Sequence, residues 1–554
     1  MKSAYAAVFL VFAIPALLLP PSAAAQVQPV QVVHNPLRYA PASLTTPGSP
    51  PFVPSEIRRA YDFLPLYSRG INGTGTRIAI IDAYGSSSLS SDLASFDSLT
   101  GLPSATVNSF FPDGPPARLP HGSSWPLETS LDIEWAHAIA PEATIDLVVA
   151  PDASLSHIYD AISFVANSLT SETVLSMSFG LSESQYPTTG SGTIASTHQQ
   201  FVTMTSHGTT PFASSGDSGA SSCCNIQYPA SDPLVVAVGG TTLSLNSTAN
   251  YASEETWSGS TAGSSIVFPK PVYQQGLGDN MRDNVDVSYD ADPNTGFLVV
   301  RGGVEYTVGG TSAGSPQWAA LIDLASQANA TRFGPVLPQL YKSTAYHDVT
   351  TGSDTFFLAS AGWDYPTGLG SPDANAIVNS LEPRMGDVAV TGIAASRSFA
   401  YSGVSSNPIS LNVTVANIGS PAETFLLTVK ANSTVVGNLT VTIAGGASSV
   451  AVFDWNPSPL TRGNYTLSAH ASPVLGEIDL VNNDLASSTL FQVRMAGDTD
   501  ADCTVNVLDL VTVGGVFGTT TSSSLWNPNA DLNNDGRINI FDLTAVGSNF
   551  GSHC

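Results

Sequence analysis

The run VGGTSAGSPQ, residues 308–317, leads from two glycines through a threonine and a serine into a proline, and the apolar stretch WAALIDLA follows at once. Gly309 and Gly310 allow a tight backbone turn, and Pro316 suits the first turn of a helix, where a missing N–H leaves nothing unsatisfied. Ser312 is therefore expected at the mouth of a helix, where the dipole and the free N–H groups favour a developing negative charge. That is how a serine nucleophile is mounted. Read alone, the run equally fits a Ser/Thr helix cap with no chemistry. A nucleophile also needs a base and a stabilised oxyanion, and a cap needs neither.

Upstream, WPLETSLDIEWAHAIAPEA places Glu128 and Asp132 four residues apart in a helical pattern. Both carboxyls then project from one face and can hydrogen-bond to each other. A shared proton keeps one of them ionised in acid, able to accept the serine proton; the same spacing also describes a solvated helix face. In ASSGDSG, Asp217 ends a buried strand among small residues. A carboxyl kept protonated there can donate to an oxyanion, although a turn aspartate has the same local signature.

These segments sit in a chain of 554 residues with a formal net charge of −26 and 11% charged residues. The length implies several domains, one with a substantial core, and the acidity argues against nucleic acid as a partner. Few lysines and arginines suit an exported protein. Lys2 precedes the apolar run AYAAVFLVFAIPALLL, and PSAAAQ offers an Ala-x-Ala cleavage site after Ala25. Residues 1–25 therefore read as a secretory signal peptide, with an uncleaved anchor as the alternative, and the mature chain is expected to be a monomer that is secreted or cell-surface associated, without a membrane span. Cys223, Cys224, Cys503 and Cys554 are too few for a disulfide scaffold, but Cys503 and Cys554 could staple the C-terminal module. Sequons at Asn72, Asn246, Asn329, Asn412, Asn432, Asn438 and Asn464 are compatible with surface glycosylation.

Residues 26–54 are rich in Pro, Ser and Thr and read as an extended linker. From 55 to 383, short β-branched runs (RIAIID, ATIDLVVA, VLSMSFG, PFASSG, LVVAVGG) alternate with helical stretches, which predicts an α/β domain with a mainly parallel sheet. From 384 to 494 the texture becomes strict alternation, as in ISLNVTVANIG and TFLLTVKAN, predicting an all-β antiparallel sandwich without a cluster of catalytic residue types.

The segment 497–554 is duplicated. Asp498, Asp500, Asp502, Thr504, Asn506 and Asp509 occupy positions 1, 3, 5, 7, 9 and 12 of a calcium loop, and Asp531, Asn533, Asp535, Arg537, Asn539 and Asp542 repeat the pattern, with Gly536 at the sharp turn. Position 7 gives its carbonyl. Aspartate at position 12 and the short flanks resemble dockerin type I modules, which implies a small α-helical module holding two Ca2+ ions and a cohesin-like scaffold partner. Val507, Leu508, Ile540 and Phe541 are the candidate contacts for that partner, unless they pack internally.

GTSAGSP around Ser312, E-x-x-x-D at Glu128 and Asp132, SSGDSG at Asp217 and the later HDVTTG…GWDYPTGLGSP together resemble the sedolisin (serine-carboxyl peptidase) family over about residues 55–380. The resemblance implies a subtilisin-like fold acting on protein or peptide substrates, with Ser312 as nucleophile, Glu128 as general base, Asp132 orienting that base and Asp217 in the oxyanion hole. It also implies one Ca2+ in the catalytic domain, held by the carboxylates of Asp348 and Asp364 and the carbonyls of Val349, Ser360 and Gly362. Ser360 stands where the family usually has glycine. Asp82 and Phe179 stand where some members extend the acid network with Glu and Trp, and only the short Pro-rich stretch separates Ala25 from the catalytic region. The middle domain resembles Ig-like domains of the CARDB type, through VTVANIG and GEIDLVNNDLAS.

Two other readings use the same residues. A subtilisin-type triad would combine Asp82 in AIIDAYG, His121 in LPHGSSWP and Ser312; His121 lacks the apolar helical context expected of a triad histidine. An inactive peptidase fold used for calcium-dependent surface adhesion would show a broken catalytic set, whereas Glu128, Asp132, Asp217 and Ser312 are all present.

Overall fold

The computed structural model describes residues 33, 37–42, 47–190, 192–220, 224, 226–382, 386–404, 406–419, 422–475, 477 and 480–553. The signal-peptide reading of 1–25 lies outside the described residues, as do Cys223 and Cys554. Cys224 and Cys503 are both disulfide-bonded. No described helix is long and apolar enough to cross a membrane.

The β-branched runs of the first domain form one eight-stranded sheet. Its order is Tyr251–Thr256, Val236–Leu245, Thr210–Ser214, Val174–Met177, Arg77–Ala83, Thr144–Ala150 and Thr106–Phe110, with Val287–Asp290 also paired to Val236–Leu245. The pairings are parallel except at Tyr251–Thr256. Parallel strands covered on both faces must be apolar throughout, and Arg77–Ala83 is buried from Ile78 onward. Helices flank the sheet, and all residues of Trp125–Ile139 are buried. That helix packs against Gly314–Asn329, whose Trp318 indole donates to Ser288 O at 2.9 Å. A helix enclosed on every side holds its polar groups in low dielectric, which sets the chemistry described below.

Part of the expected linker belongs to this domain. Arg38–Pro41 pairs antiparallel with Val304–Gly309, the strand that runs into the serine turn, and Arg38 lies opposite Gly309. Leu37 and Phe52 anchor the stretch in the core, and Phe52 N donates to Gly296 O at 2.8 Å. Composition marked the segment as extended, but two apolar anchors and an open strand edge were enough to bind it.

The second domain has a three-stranded sheet (Val388–Ala395, Ile409–Asn417, Ser448–Trp455) and a five-stranded sheet (Phe399–Tyr401, Asp484–Arg494, Gly463–Ala471, Glu423–Ala431, Thr434–Ile443). Both contribute to one core that includes Leu411, Val413, Leu427, Trp455 and Phe491. All of these pairings are antiparallel except that of Phe399–Tyr401 with Asp484–Arg494. The C-terminal segment contributes two short helices, Val507–Gly515 and Ile540–Ser548, each preceded by one of the acidic loops.

Candidate active site and calcium loops

The opening run does build a serine at a helix mouth. Thr311–Ala313 is a single tight turn followed directly by the helix Gly314–Asn329, with Pro316 in its first turn. Gly310 has φ 136°, and a Cβ there would lie 2.5 Å from Asp217 Oδ2, so both backbone conformation and space demand glycine. Ser312 is 2% exposed.

Two hydroxyl residues tie the expected groups to this turn. Asp217 Oδ1 accepts from Thr311 N and from Thr311 Oγ1, both at 2.8 Å, while Thr311 Oγ1 accepts from Gly216 N at 3.1 Å. Asp217 Oδ2 is buried without a hydrogen-bond partner. Burial pushes the Asp217 carboxyl up to about 6, against the opposing effects of the two Thr311 bonds and the Arg38 charge. A neutral carboxyl with one unoccupied oxygen beside a serine is an arrangement able to donate to an oxyanion.

On the other side, Ser178 Oγ lies 2.9 Å from Asp132 Oδ1 and 3.2 Å from Ser312 O, joining the buried helix to the serine turn. Glu128 and Asp132 are both fully buried, one helical turn apart. Burial raises the Asp132 carboxyl well above the usual range, and the charges of Asp82 and Glu128 raise it further. Both effects favour the neutral form of Asp132, beside Glu128. Asp82 joins this group: it is fully buried, pushed up to about 7 by burial, with nearby Thr129 tempering the shift although its hydroxyl bonds to Trp125 O at 3.1 Å. His121 is exposed, and neither Asp82 oxygen has a hydrogen-bond partner, so the Asp–His link of a subtilisin-type triad is not formed.

Ser178 and Thr311 escaped the sequence reading as site residues. Their only signal was a hydroxyl at the apolar end of VLSMSFG and a threonine beside the serine, neither distinguishable from a capping group before the strands are aligned. Arg38 and Leu37 escaped because they lay in the presumed linker. Leu37 Cδ2 comes within 3.5 Å of the place where a Gly310 Cβ would stand.

At the presumed catalytic-domain calcium site, Asp348 Oδ2 accepts from Gly362 N at 3.0 Å and Asp364 Oδ2 from Ser360 N at 2.7 Å. Burial raises the Asp364 carboxyl to about 6, and the Asp348 charge adds to the shift. Two aspartates close enough for one charge to raise the other's carboxyl are the kind of oxygen donor a hard divalent cation takes. Val349 is buried in the same loop.

The duplicated loops have matching backbones. Ala501 and Cys503 in the first, and Asn534 and Gly536 in the second, all have left-handed φ. Cys503 therefore takes the conformation for which Gly536 is the usual solution. The carboxylate oxygens of Asp498, Asp500 and Asp502 lie within 4.8 Å of one another. At the loop ends, Asp509 accepts from Thr499 N (2.7 Å) and Asn506 N (2.9 Å), and Asp542 from Leu532 N and Asn539 N (both 2.8 Å). Each last ligand thus doubles as a capping-box residue of the helix that follows. Val507, Leu508, Ile540 and Phe541 are all exposed, between 57% and 68%.

A dockerin type I domain matches residues 496–550. Kumamolisin of Bacillus sp. (strain MN-32) is 32% identical over 364 residues, which covers 60% of this chain and 64% of that protein. Sedolisin of Pseudomonas sp. (strain 101) is 27% identical over 355 residues, 58% of this chain and 59% of that protein. The chain therefore spans less than two thirds of the length of these curated relatives. The solved structure of Pseudomonas sedolisin (serine-carboxyl proteinase) complexed with two molecules of pseudo-iodotyrostatin superposes with a TM-score of 0.55 at 27% identity, covering 61% of this chain and 98% of that one. The chain has sedolisin-family homologues over about 60% of its length and carries a dockerin type I domain at residues 496–550.

Proposed function

We propose, from this homology and from the groups gathered around Ser312, that the chain is a secreted, acid-active serine-carboxyl endopeptidase tethered through its C-terminal module to a cohesin-bearing partner. The observation that carries the reading is the pair of hydroxyl bridges: Ser178 joins Asp132 to the serine turn and Thr311 joins Asp217 to it. In this mechanism Ser312 Oγ attacks the carbonyl carbon of the scissile peptide as its proton passes to Glu128. Asp132, neutral, holds Glu128 in place, and the proton on Asp217 faces the oxyanion. Collapse of the tetrahedral species breaks the C–N bond, and the proton on Glu128 leaves with the amine. Water then repeats the sequence on the acyl-enzyme and frees Ser312.

We assign one Ca2+ to the Asp348 and Asp364 carboxylates with the carbonyls of Val349, Ser360 and Gly362, and two to the duplicated loops. Bound there, the ions would crosslink loops that otherwise hold like charges together. The two-sheet domain is a spacer of Ig-like, CARDB type, and residues 1–25 are the export signal.

The test is hydrolysis of an unfolded protein substrate as a function of pH, with Ser312→Ala in parallel. Asp217 donates only while protonated, so activity should peak in acid and fall as pH rises through about 6. Loss of the nucleophile should cost about a million-fold in turnover. An optimum near neutrality that is abolished by His121→Ala would instead identify a histidine-based enzyme.

A further inference from the structure

The alternation of one short strand divides it between two cores. In Phe399–Tyr401, Ala400 packs in the core of the two-sheet domain, whereas Phe399 and Tyr401 belong to a different core. The other members of that second core are Val505, Val513, Ala530, Leu532, Ile538 and Val546, all from the C-terminal module. The module has no separate apolar centre among the described residues: its core is completed by two aromatic rings of the β-domain. A segment this small buries little surface by itself, so these rings form a large part of what holds it.

The polar contacts at this junction fall on the second repeat. Tyr401 OH donates to Asn529 O at 2.7 Å, and Arg494 Nη1 to Asn529 Oδ1 at 3.0 Å; Arg397 donates to Pro528 O. Arg397 and Arg494 also stack on the Phe399 ring at 4.1 and 4.0 Å. These bonds hold the turn Pro528–Ala530, which immediately precedes Asp531, the first position of the second loop. Within the loop, Asn407 N donates to Asn533 O at 2.8 Å, and Asn534 Nδ2 reaches the carbonyls of Asn407 and Pro408 at 3.4 Å. Arg397 stands within electrostatic reach of Asp531 and Asp542. Both loops close on their own chain in the same way, Asp498 accepting from Asp502 N and Cys503 N as Asp531 does from Asp535 N and Gly536 N, and Thr504 bridging to His553 as Arg537 does to Thr520. What distinguishes the second is the set of hydrogen bonds to the β-domain just described, whereas the first meets Phe399 and Tyr401 through Val505 in the shared apolar core.

We infer that the β-domain is the built-in partner of the second calcium loop, so that the two loops of the repeat are unequal: ion binding in the second orders the β-domain's Phe399–Tyr401 strand and the 407–408 segment through direct hydrogen bonds, while the first, among the described residues, meets the β-domain through the shared apolar core alone. This rests on the reading of both loops as calcium sites. The physical basis is linkage. A ligand that binds only the assembled form stabilises every contact assembled with it, and the backbone bond from Asn407 N to Asn533 O pre-sets the second loop before an ion arrives. The duplicated sequence gives no hint of this inequality, because the difference lies in what each loop touches.

Hydrogen exchange on the full chain, with and without added CaCl2, tests the inference directly. In the parent protein, calcium should slow exchange in both loops and also in 397–408. Asp531→Ala should abolish the protection of 397–408, whereas Asp498→Ala should leave it in place. Tyr401→Phe, which keeps the ring and removes only the bond to Asn529 O, should weaken calcium binding several-fold at the second loop and leave the first unchanged, read from the calcium dependence of protection in each. Protection of 397–408 that survives Asp531→Ala, or is lost equally in Asp498→Ala, would overturn the inference. Absence of any calcium response in both loops of the parent protein would fail the calcium reading itself, and with it this inference.

Discussion

Thr311→Val separates the proposed role of Asp217 from that proposed for Ser312. The substitution keeps the shape of the side chain and removes one hydroxyl, which now donates to Asp217 Oδ1 at 2.8 Å and accepts from Gly216 N at 3.1 Å. The bond to Oδ1 favours the ionised carboxyl and so holds its pKa down; burial, working the other way, sets it at about 6. A hydrogen bond to a charged group is worth about 1.5 kcal/mol at the lower end of its range, and about 1.4 kcal/mol corresponds to one pKa unit. Without the hydroxyl, the Asp217 pKa should therefore rise by about one unit. If Asp217 must be protonated to donate to the oxyanion, the alkaline limb of kcat/KM moves up by the same amount, from near 6 to roughly 7. The acid plateau should change little, since Thr311 N still binds Oδ1. Loss of the acceptor for Gly216 N should lower stability by about 1–3 kcal/mol, a separate effect seen in thermal unfolding. The assay is kcat/KM against pH on one peptide substrate for both proteins. An unmoved limb would show that Asp217 does not set it, and a limb moved towards acid would show that the hydroxyl stabilises the neutral acid. Arg38→Ala should shift the limb the same way by less, and the shift should shrink in salt because Arg38 is exposed.

Leu37→Ala should loosen the N-terminal stretch next to Gly310 and raise kcat/KM by several-fold, up to about 30-fold if the full ~2 kcal/mol of a Leu→Ala loss opposes substrate entry; an unchanged value would mean that substrate enters elsewhere. Asp323, pushed up to about 7 by burial and accepting from Thr76 and Thr173, should stabilise the fold fully below about pH 4 and lose that contribution as pH rises through 7. Asp323→Asn should flatten the pH dependence of unfolding over this window by up to about 4 kcal/mol, and a slope equal to the parent's would reject the assignment. Asp364→Ala should remove the calcium response of thermal unfolding in the α/β domain while the C-terminal loops keep theirs; an undiminished response would place the ion elsewhere.

What was legible in the sequence followed from local chemistry. The glycine turn before Ser312, the i, i+4 carboxyls and the twelve-residue repeat are each fixed by backbone geometry within a few residues, and each appears where the pattern put it. What was not legible depends on distant strands. Ser178 becomes a site residue only because Val174–Met177 ends beside the helix carrying Asp132, and Arg38 only because its strand pairs with the one leading to Ser312. Within the stretch 26–54 read as a linker, the pairing of Arg38–Pro41 was missed for the same reason: proline content reports that a chain is extended, and an extended chain is also what an open strand edge binds. Likewise the repeat announced two equal loops, and their unequal surroundings come from a strand about a hundred residues earlier in the chain.

The buried carboxyls give the two ends of this chain opposite relations to pH. Asp132, Glu134 and Asp290 are raised well above the usual range, each chiefly by burial, and Asp82, Asp217 and Asp323 are raised as well. Each binds its proton more tightly in the folded protein than in the unfolded chain, so each favours the fold in acid and ceases to do so as pH rises through its folded pKa. The same sign governs the proposed chemistry at Asp217, and self-repulsion in a chain of net charge −26 at pH 7 acts in the same direction. The C-terminal loops run the other way. Asp498, Asp531 and Asp542 must ionise to hold a cation, yet burial first and neighbouring carboxylates after it raise all three. On the proposed function, acid that keeps Asp217 protonated would therefore also weaken cation binding by the module that completes its core on Phe399 and Tyr401, so that a pH suited to the proposed cleavage would loosen the proposed tether.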